Sequence, residues 1–124
     1  MARDEQTYAI VGAAMAVHGE LGAGFLESVY QDALEIELTQ RQIPFRREAT
    51  LQVFYRGRPL PSRYRADFLC YEQLVVELKV SRGTGDADMA QVLHYLKSTG
   101  LKRGLLLNFG RESLQFRRFV LNPG

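Results

Sequence analysis

Cysteine and tryptophan are nearly missing from this chain, which has a single cysteine, Cys70, and no tryptophan. A lone thiol closes neither an internal disulfide nor a thiol-rich zinc site, which fits a reducing compartment and predicts a cytoplasmic protein. No apolar run approaches the roughly 18–20 residues that span a bilayer, so no membrane partner is expected. Asp4 and Glu5 precede the first apolar positions, the wrong charge for a secretory signal. Repeats, low-complexity tracts and linkers are also lacking, and 124 residues suit one domain, 1–124. Hydrophobic residues at 46% and charged residues at 24% exclude disorder, collagen and coiled coil.

Lysine is scarce as well: thirteen of the sixteen basic residues are arginine, whose planar fork suits phosphate. The formal net charge of +2 names no partner, but its distribution is uneven. Residues 1–40 set Arg3 against Asp4, Glu5, Glu20, Glu27, Asp32, Glu35 and Glu37. Residues 41–65 reverse this, with Arg41, Arg46, Arg47, Arg56, Arg58, Arg63 and Arg65 against Glu48 alone. One reading is a solvated strand edge facing acidic helices of the same fold. The other is a phosphate-tracking surface, which requires a reactive or binding site beside it.

Helical spacing of Ile10, Ala13, Val17 and Leu21 predicts a helix over 4–20, broken by Gly22-Ala23-Gly24. A second helix is expected from about Phe25 to Arg41, with Leu26, Val29, Ala33, Ile36 and Leu38 as its stripe. Segments 48–56, 63–71 and 74–80 are rich in β-branched and aromatic residues and read as strands, with a turn at Gly57-Arg58-Pro59. A loop at Gly83-Thr84-Gly85 leads to a third helix over 87–99, with Asp86 as N-cap and Gly100 as its end. Segments 103–109 and 114–121 read as the last strands. The order α-α-β-β-β-α-β-β predicts an α+β mixed sheet covered by helices.

Three polar residues break the apolar pattern of the central strands. Glu77 and Lys79 interrupt LVVELKV and share one strand face, and Asp67 interrupts the strand before it. If Tyr71, Glu72 and Gln73 form a three-residue loop, Cys70 pairs with Leu74 and Asp67 stands opposite Glu77. Their Cβ atoms are then about 4.5–5.5 Å apart. A strict two-residue loop turns Asp67 to the other face. Two converging carboxylates repel, and a divalent cation relieves that repulsion. Oxygen ligands from Asp67, Glu77 and a backbone carbonyl, that of Leu78, favour Mg²⁺ or Mn²⁺. With Lys79 beside them, such a site suits phosphodiester hydrolysis. The competing reading is a buried Glu77–Lys79 ion pair with Asp67 capping a turn.

Asp67 followed by Glu77-Leu78-Lys79 resembles the D…(D/E)xK signature of the PD-(D/E)XK nuclease superfamily, with Ala66 where the signature's proline stands. Gly24-Phe25-Leu26-Glu27-Ser28-Val29-Tyr30 resembles the motif of the GxxExxY family within it. Val17-His18, Leu21-Gly22, Tyr64-Arg65-Ala66-Asp67, Gln91 with Tyr95-Leu96-Lys97, and Gly104 with Asn108-Phe109-Gly110 extend the likeness over about residues 8–120. The resemblance implies a restriction-endonuclease-like αβββαβ core with an extra N-terminal helix. It implies Asp67 and Glu77 as metal ligands, Lys79 as the catalytic lysine, Glu27 as a further acidic ligand and Gln91 as a polar group at the same site.

Glu27 and Tyr30 share a helix face at i, i+3. Glu27 has a structural alternative as a helix-start carboxylate, and Tyr30 as a core aromatic with its hydroxyl satisfied. His18 reads as packing against a loop, and Cys70 as an inert buried thiol. The expected function is Mg²⁺-dependent hydrolysis of nucleic acid, DNA or RNA, held by Arg46, Arg47, Arg56, Arg58, Arg63 and Arg65, with Arg117-Arg118 assisting. The alternative is a catalytically silent binding module on the same fold. The strand Phe116 to Leu121 offers an edge for a homodimer.

Overall fold

The computed structural model describes residues 4–82 and 85–121. Helix α1 (Glu5–Leu21) and helix α2 (Glu27–Gln40) precede strands β1 (Phe45–Tyr55), β2 (Arg58–Cys70) and β3 (Leu74–Lys79). Helix α3 (Asp86–Thr99) then leads to β4 (Arg103–Asn108) and β5 (Gln115–Val120). The sheet runs β1-β2-β3-β4-β5, with β3 and β4 parallel and the other neighbours antiparallel. This is the mixed α+β architecture that the residue pattern predicts, and it agrees with the restriction-endonuclease-like fold that the resemblance implies.

Each helix has a local cause. Asp4 caps α1 by accepting from the Thr7 amide at 3.1 Å and the Thr7 hydroxyl at 2.8 Å. Gly22, at φ 72°, ends the helix and donates its amide to the His18 carbonyl. In α2 the buried stripe is Tyr30, Leu34 and Leu38, whereas Leu26 and Ile36 are exposed. Leu38 and Ala33 of the expected stripe do face the core, but Leu26 and Ile36 do not, because Tyr30 takes the core face and turns them outward. Gly85, not Asp86, is the N-cap of α3, and Gly100 ends it in the left-handed region at φ 82°. Gly83 and Thr84 of the expected loop lie outside the described residues.

The strands are longer than their apolar runs. β1 begins at Phe45 rather than 48, and β2 begins at Arg58 because the turn is tighter than expected, at Arg56-Gly57. Between β2 and β3 the three-residue loop holds: Cys70 pairs with Leu74, and Gln73 donates to the Cys70 carbonyl at 3.1 Å. Tyr71 and Glu72 supply the left-handed corner at φ 57° and 55°.

Two apolar cores lie on opposite faces of the sheet. Phe68, Cys70, Leu74, Val76, Leu78, Leu105 and Leu107 pack with α1 and α2. Ala49, Leu51, Ala66, Leu69 and Val75 pack with Tyr95 and Leu96 of α3. In a regular strand Ala66 and Phe68 would share a face. Here they belong to different cores, and so do Phe45 and Ala49. The change of face falls at Asp67 on β2 and at Glu48 on β1, where Glu48 adopts φ 51° and the pairing skips one position without slipping register. The β1–β2 hairpin thus crosses from one side of the sheet to the other as it leaves the body.

Candidate functional site

The crossover places the first acid. β2 and β3 pair from Cys70–Leu74 to Phe68–Val76, and the ladder stops there. Side chains replace the backbone bonds at the next position: the Leu78 amide donates to Asp67 Oδ2 at 2.7 Å, and the Asp67 amide donates to Glu77 Oε1 at 3.3 Å. Each carboxylate thus fills the gap left by the other strand, and Asp67 stands opposite Glu77 as the three-residue loop requires. The amide and carbonyl of a strand residue face the same neighbour, so the Leu78 carbonyl also looks into this opening.

The electrostatics follow from burial and proximity. Glu77 is 5% exposed. Burial, then the charge of Asp67 and a hydrogen bond with it, push its carboxyl up to about 9, against a smaller opposing pull from Lys79. Glu27, half-buried in the first turn of α2, is raised by burial and then by Asp67, with Lys79 opposing. Lys79, at the end of β3, lies 3.8 Å from Asp88 of α3. Neither a plain Glu77–Lys79 ion pair nor a simple turn cap describes this arrangement.

Helix α3 forms the opposite wall. Gln91 donates to the Tyr95 hydroxyl at 3.1 Å, and the Tyr95 ring lies against Tyr64 of β2 with centroids 4.5 Å apart. Burial and the nearby Glu77 raise the Tyr95 hydroxyl. Tyr64, Asp88, Gln91, His94 and Tyr95 line an open groove of about 610 Å³. Asp88 and Tyr64 are the site residues that sequence reasoning passed over. The spacing of Asp88, Gln91 and Tyr95 at i, i+3, i+7 was the available signal for the first.

The donor set is all oxygen. Among the described residues, no three His, Cys, Asp or Glu side chains gather closely enough to hold an ion by themselves. Glu27 therefore feels the charge of Asp67 without joining a three-carboxylate cluster. Two adjacent carboxylates and a free carbonyl fit Mg²⁺, which keeps several of its own waters and takes one or two protein carboxylates.

Motif residues around the site are mainly structural. The Tyr30 hydroxyl donates to the Gly22 carbonyl and accepts from the Phe25 amide, and its ring stacks on Phe109 at 4.7 Å. It fixes the loop from which Glu27 emerges. His18 is buried, with Nε2 2.8 Å from the Arg111 carbonyl. Asn108 accepts from the Ser81 and Gly110 amides at 3.2 and 2.9 Å, tying the chain after Lys79 to β4. Cys70 is buried and its thiol is pushed up to about 12.

The six arginines divide into two sets. Arg46 pairs with Glu72 at 2.8 Å, and Arg47 pairs with Asp32 and Glu35 of α2 at 2.7 and 3.2 Å. For Arg47 the reading of arginines facing acidic helices is met, whereas Arg46 is neutralised by the β2–β3 loop instead. Arg56, Arg58, Arg63 and Arg65 contact no carboxylate among the described residues. Arg63 donates to the Pro61 and Ser62 carbonyls, and Arg56 lies over the Tyr55 ring.

Comparison with known proteins agrees with this geometry. Residues 4–119 match the sequence profile of the PD-(D/E)XK nuclease superfamily. No match to a curated protein was found. Among solved structures, "Crystal structure of SSO0001" is similar with a TM-score of 0.60 at 18% identity, a likeness of fold. It covers 97% of this chain, and this chain spans 59% of that one. Among the described residues no helix is long and apolar enough to cross a membrane.

Proposed function

The chain belongs to the PD-(D/E)XK nuclease superfamily, and we propose that residues 1–124 form one nuclease domain that hydrolyses nucleic-acid phosphodiesters with Mg²⁺ or Mn²⁺. The observation that carries this reading is the exchange between Asp67 and Glu77 across the opened β2–β3 ladder, with Lys79 at the mouth. Asp67, Glu77 and the Leu78 carbonyl would hold the cation, with Glu27 reaching it through water. Once bound, the cation lowers the pKa of a water and offsets charge on the phosphoryl oxygens.

The chain's own groups do the rest. Lys79, freed from its long contact with Asp88, donates Nζ–H to the attacking water or to a non-bridging phosphate oxygen. Glu27, whose carboxyl feels the charge of Asp67, would orient that water. Gln91 holds Tyr95 against Tyr64 and keeps the α3 wall in place beside the scissile bond. Asp67 and Lys79 are half-buried rather than sealed, and water would enter on their side.

The test is cleavage of end-labelled DNA and RNA, single- and double-stranded, with Mg²⁺ or Mn²⁺. Wild-type protein is expected to cut at least one of them. EDTA and Lys79→Ala are each expected to abolish cutting while the circular dichroism spectrum stays unchanged. A folded sample that cuts none of the four, or a fully active Lys79→Ala, refutes the proposal. The scarcity of clustered ligands favours one second reading, a silent nucleic-acid-binding module; salt-sensitive binding without cleavage would establish it.

A further inference from the structure

Apart from Tyr64, the outer part of the β1–β2 hairpin takes no part in the hydrolytic site, yet its composition is unlike the rest of the chain. Residues 49–66 contain no Asp or Glu and four arginines. Elsewhere Arg41, Arg46, Arg47, Arg103 and Arg118 each bond a carboxylate. The hairpin arginines have no such partner among the described residues, so their positive charge is directed outward.

Geometry orders that charge. Tyr64 and Ala66 pack towards α3, so Arg63 and Arg65, which alternate with them, face the other way. Thr50 and Gln52 stand directly opposite Arg65 and Arg63, giving a polar face with no apolar cover. Arg65 precedes Asp67 by two residues, about 6.5–7 Å along the strand. At the far end Phe54 is 43% exposed and Tyr55 59%, beside Arg56 and Arg58. Exposed aromatic rings at a tip with Arg58 beside them, then Arg63 and Arg65 at alternate positions beyond the irregularity in the ladder, make a surface that stacks bases and follows one backbone.

We infer that this hairpin is a docking arm for single-stranded nucleic acid, with Phe54 and Tyr55 stacking unpaired bases and Arg58, Arg63 and Arg65 leading the backbone to Asp67. The arm deepens the nuclease reading by naming its substrate form, and it rests on that reading only for the statement that the strand ends at Asp67. A duplex presents no free base faces to the aromatic pair, and one row of arginines tracks one strand.

Binding is measured by fluorescence anisotropy in EDTA, so that no strand is cut, with labelled oligothymidylate, oligouridylate and a duplex of equal length. One or both single strands are expected to bind more tightly than the duplex. Phe54→Ala and Tyr55→Ala are each expected to weaken single-strand binding about tenfold. Arg63→Ala and Arg65→Ala are each expected to lower the slope of log affinity against log salt by about 0.7. Lys102→Ala, at an exposed cation just before β4, is the charge-matched control and is expected to leave affinity unchanged. Circular dichroism confirms that each variant is folded. The arm is refuted if neither single strand binds, if the duplex binds as tightly, if Lys102→Ala costs as much as Arg65→Ala, or if polyglutamate competes as well as oligothymidylate. Binding through the arm without cleavage would overturn the hydrolytic reading alone. Cleavage unaffected by all four arm variants would overturn the arm alone.

Discussion

Replacing Glu77 by Gln should make the metal-free protein more stable, and the size of the gain follows from the site. The Glu77 carboxyl is 5% exposed and opposite Asp67, which together raise it from an ordinary 4.5 to about 9. The folded protein therefore binds this proton more tightly than the unfolded chain does. Stability contributed by the protonated form is fully present below pH 4.5 and is lost as pH rises towards 9. At pH 7 the unfolded chain gains about 3 kcal/mol from ionising this group, while the folded protein gains almost nothing. Glutamine cannot ionise, keeps an oxygen for the Asp67 amide and offers Asp67 the same hydrogen bond as a protonated carboxyl. Urea unfolding in EDTA should therefore show Glu77→Gln level with wild type near pH 4.5 and ahead by about 3 kcal/mol at pH 7. The gap should widen until pH 9. Parallel stability curves for the two proteins across this range would refute the reasoning, because they would mean that Glu77 is solvated and far from Asp67. The same proton must leave before a cation binds, so Mn²⁺ affinity of the wild-type protein should rise with pH over this window.

Other substitutions test the supports of the site. Tyr30→Phe removes the bonds to Gly22 and Phe25 and should cost ~1–2 kcal/mol by thermal or urea unfolding. A Cβ on Gly110 would collide with the backbone of Ser81, whereas one on Gly19 in α1 meets open space. Gly110→Ala should thus lose ~1–3 kcal/mol by overpacking, and Gly19→Ala should gain ~0.5–1 kcal/mol by helix propensity; equal effects in unfolding would sink the contrast. Asp4→Ala removes the cap of α1 and the bonds to Arg103 and Arg118 and should cost at least ~1 kcal/mol. Partial burial pulls the Asp4 carboxyl upward, but Thr7, Arg103 and Arg118 outweigh it and hold it well below the ordinary range. The deficit of Asp4→Ala should therefore be constant from pH 5 to 8 and shrink in acid, as urea midpoints at several pH values will show.

The site was legible in the sequence because Asp67, Glu77 and Lys79 break apolar strands, and a polar residue in a central strand has to be explained locally. The arithmetic of the β2–β3 loop reduced the face of Asp67 to two cases, and the pairing of Cys70 with Leu74 decides between them. Asp88 was less legible, since a charged residue in the first turn of a helix is ordinary and only the fold brings it to Lys79. The facing of Arg47 to α2 was among the readings of the charge pattern, but the pairing of Arg46 with Glu72 was not, because it joins residues distant along the chain. The stripe of α2 slipped because Leu26 and Ile36 are apolar yet exposed; burial of Tyr30 decides the phase, and tyrosine is ambiguous in a hydropathy pattern. Strand ends escaped for the same reason, as Arg58 and Pro59 stand opposite Tyr55 and Phe54 of β1 in a pairing that side-chain character does not announce.

The change of face at Glu48 and Asp67 separates the hairpin into two parts with different tolerance to length change. Residues added at the Arg56-Gly57 corner would lengthen only the part beyond the crossover and leave the carboxylates where they are. A single residue inserted between Phe45 and Glu48, or between Asp67 and Cys70, would slip the whole ladder by one position and turn Asp67 out of the opening. Loop grafts at the corner are thus open to engineering, and the few residues below it are not.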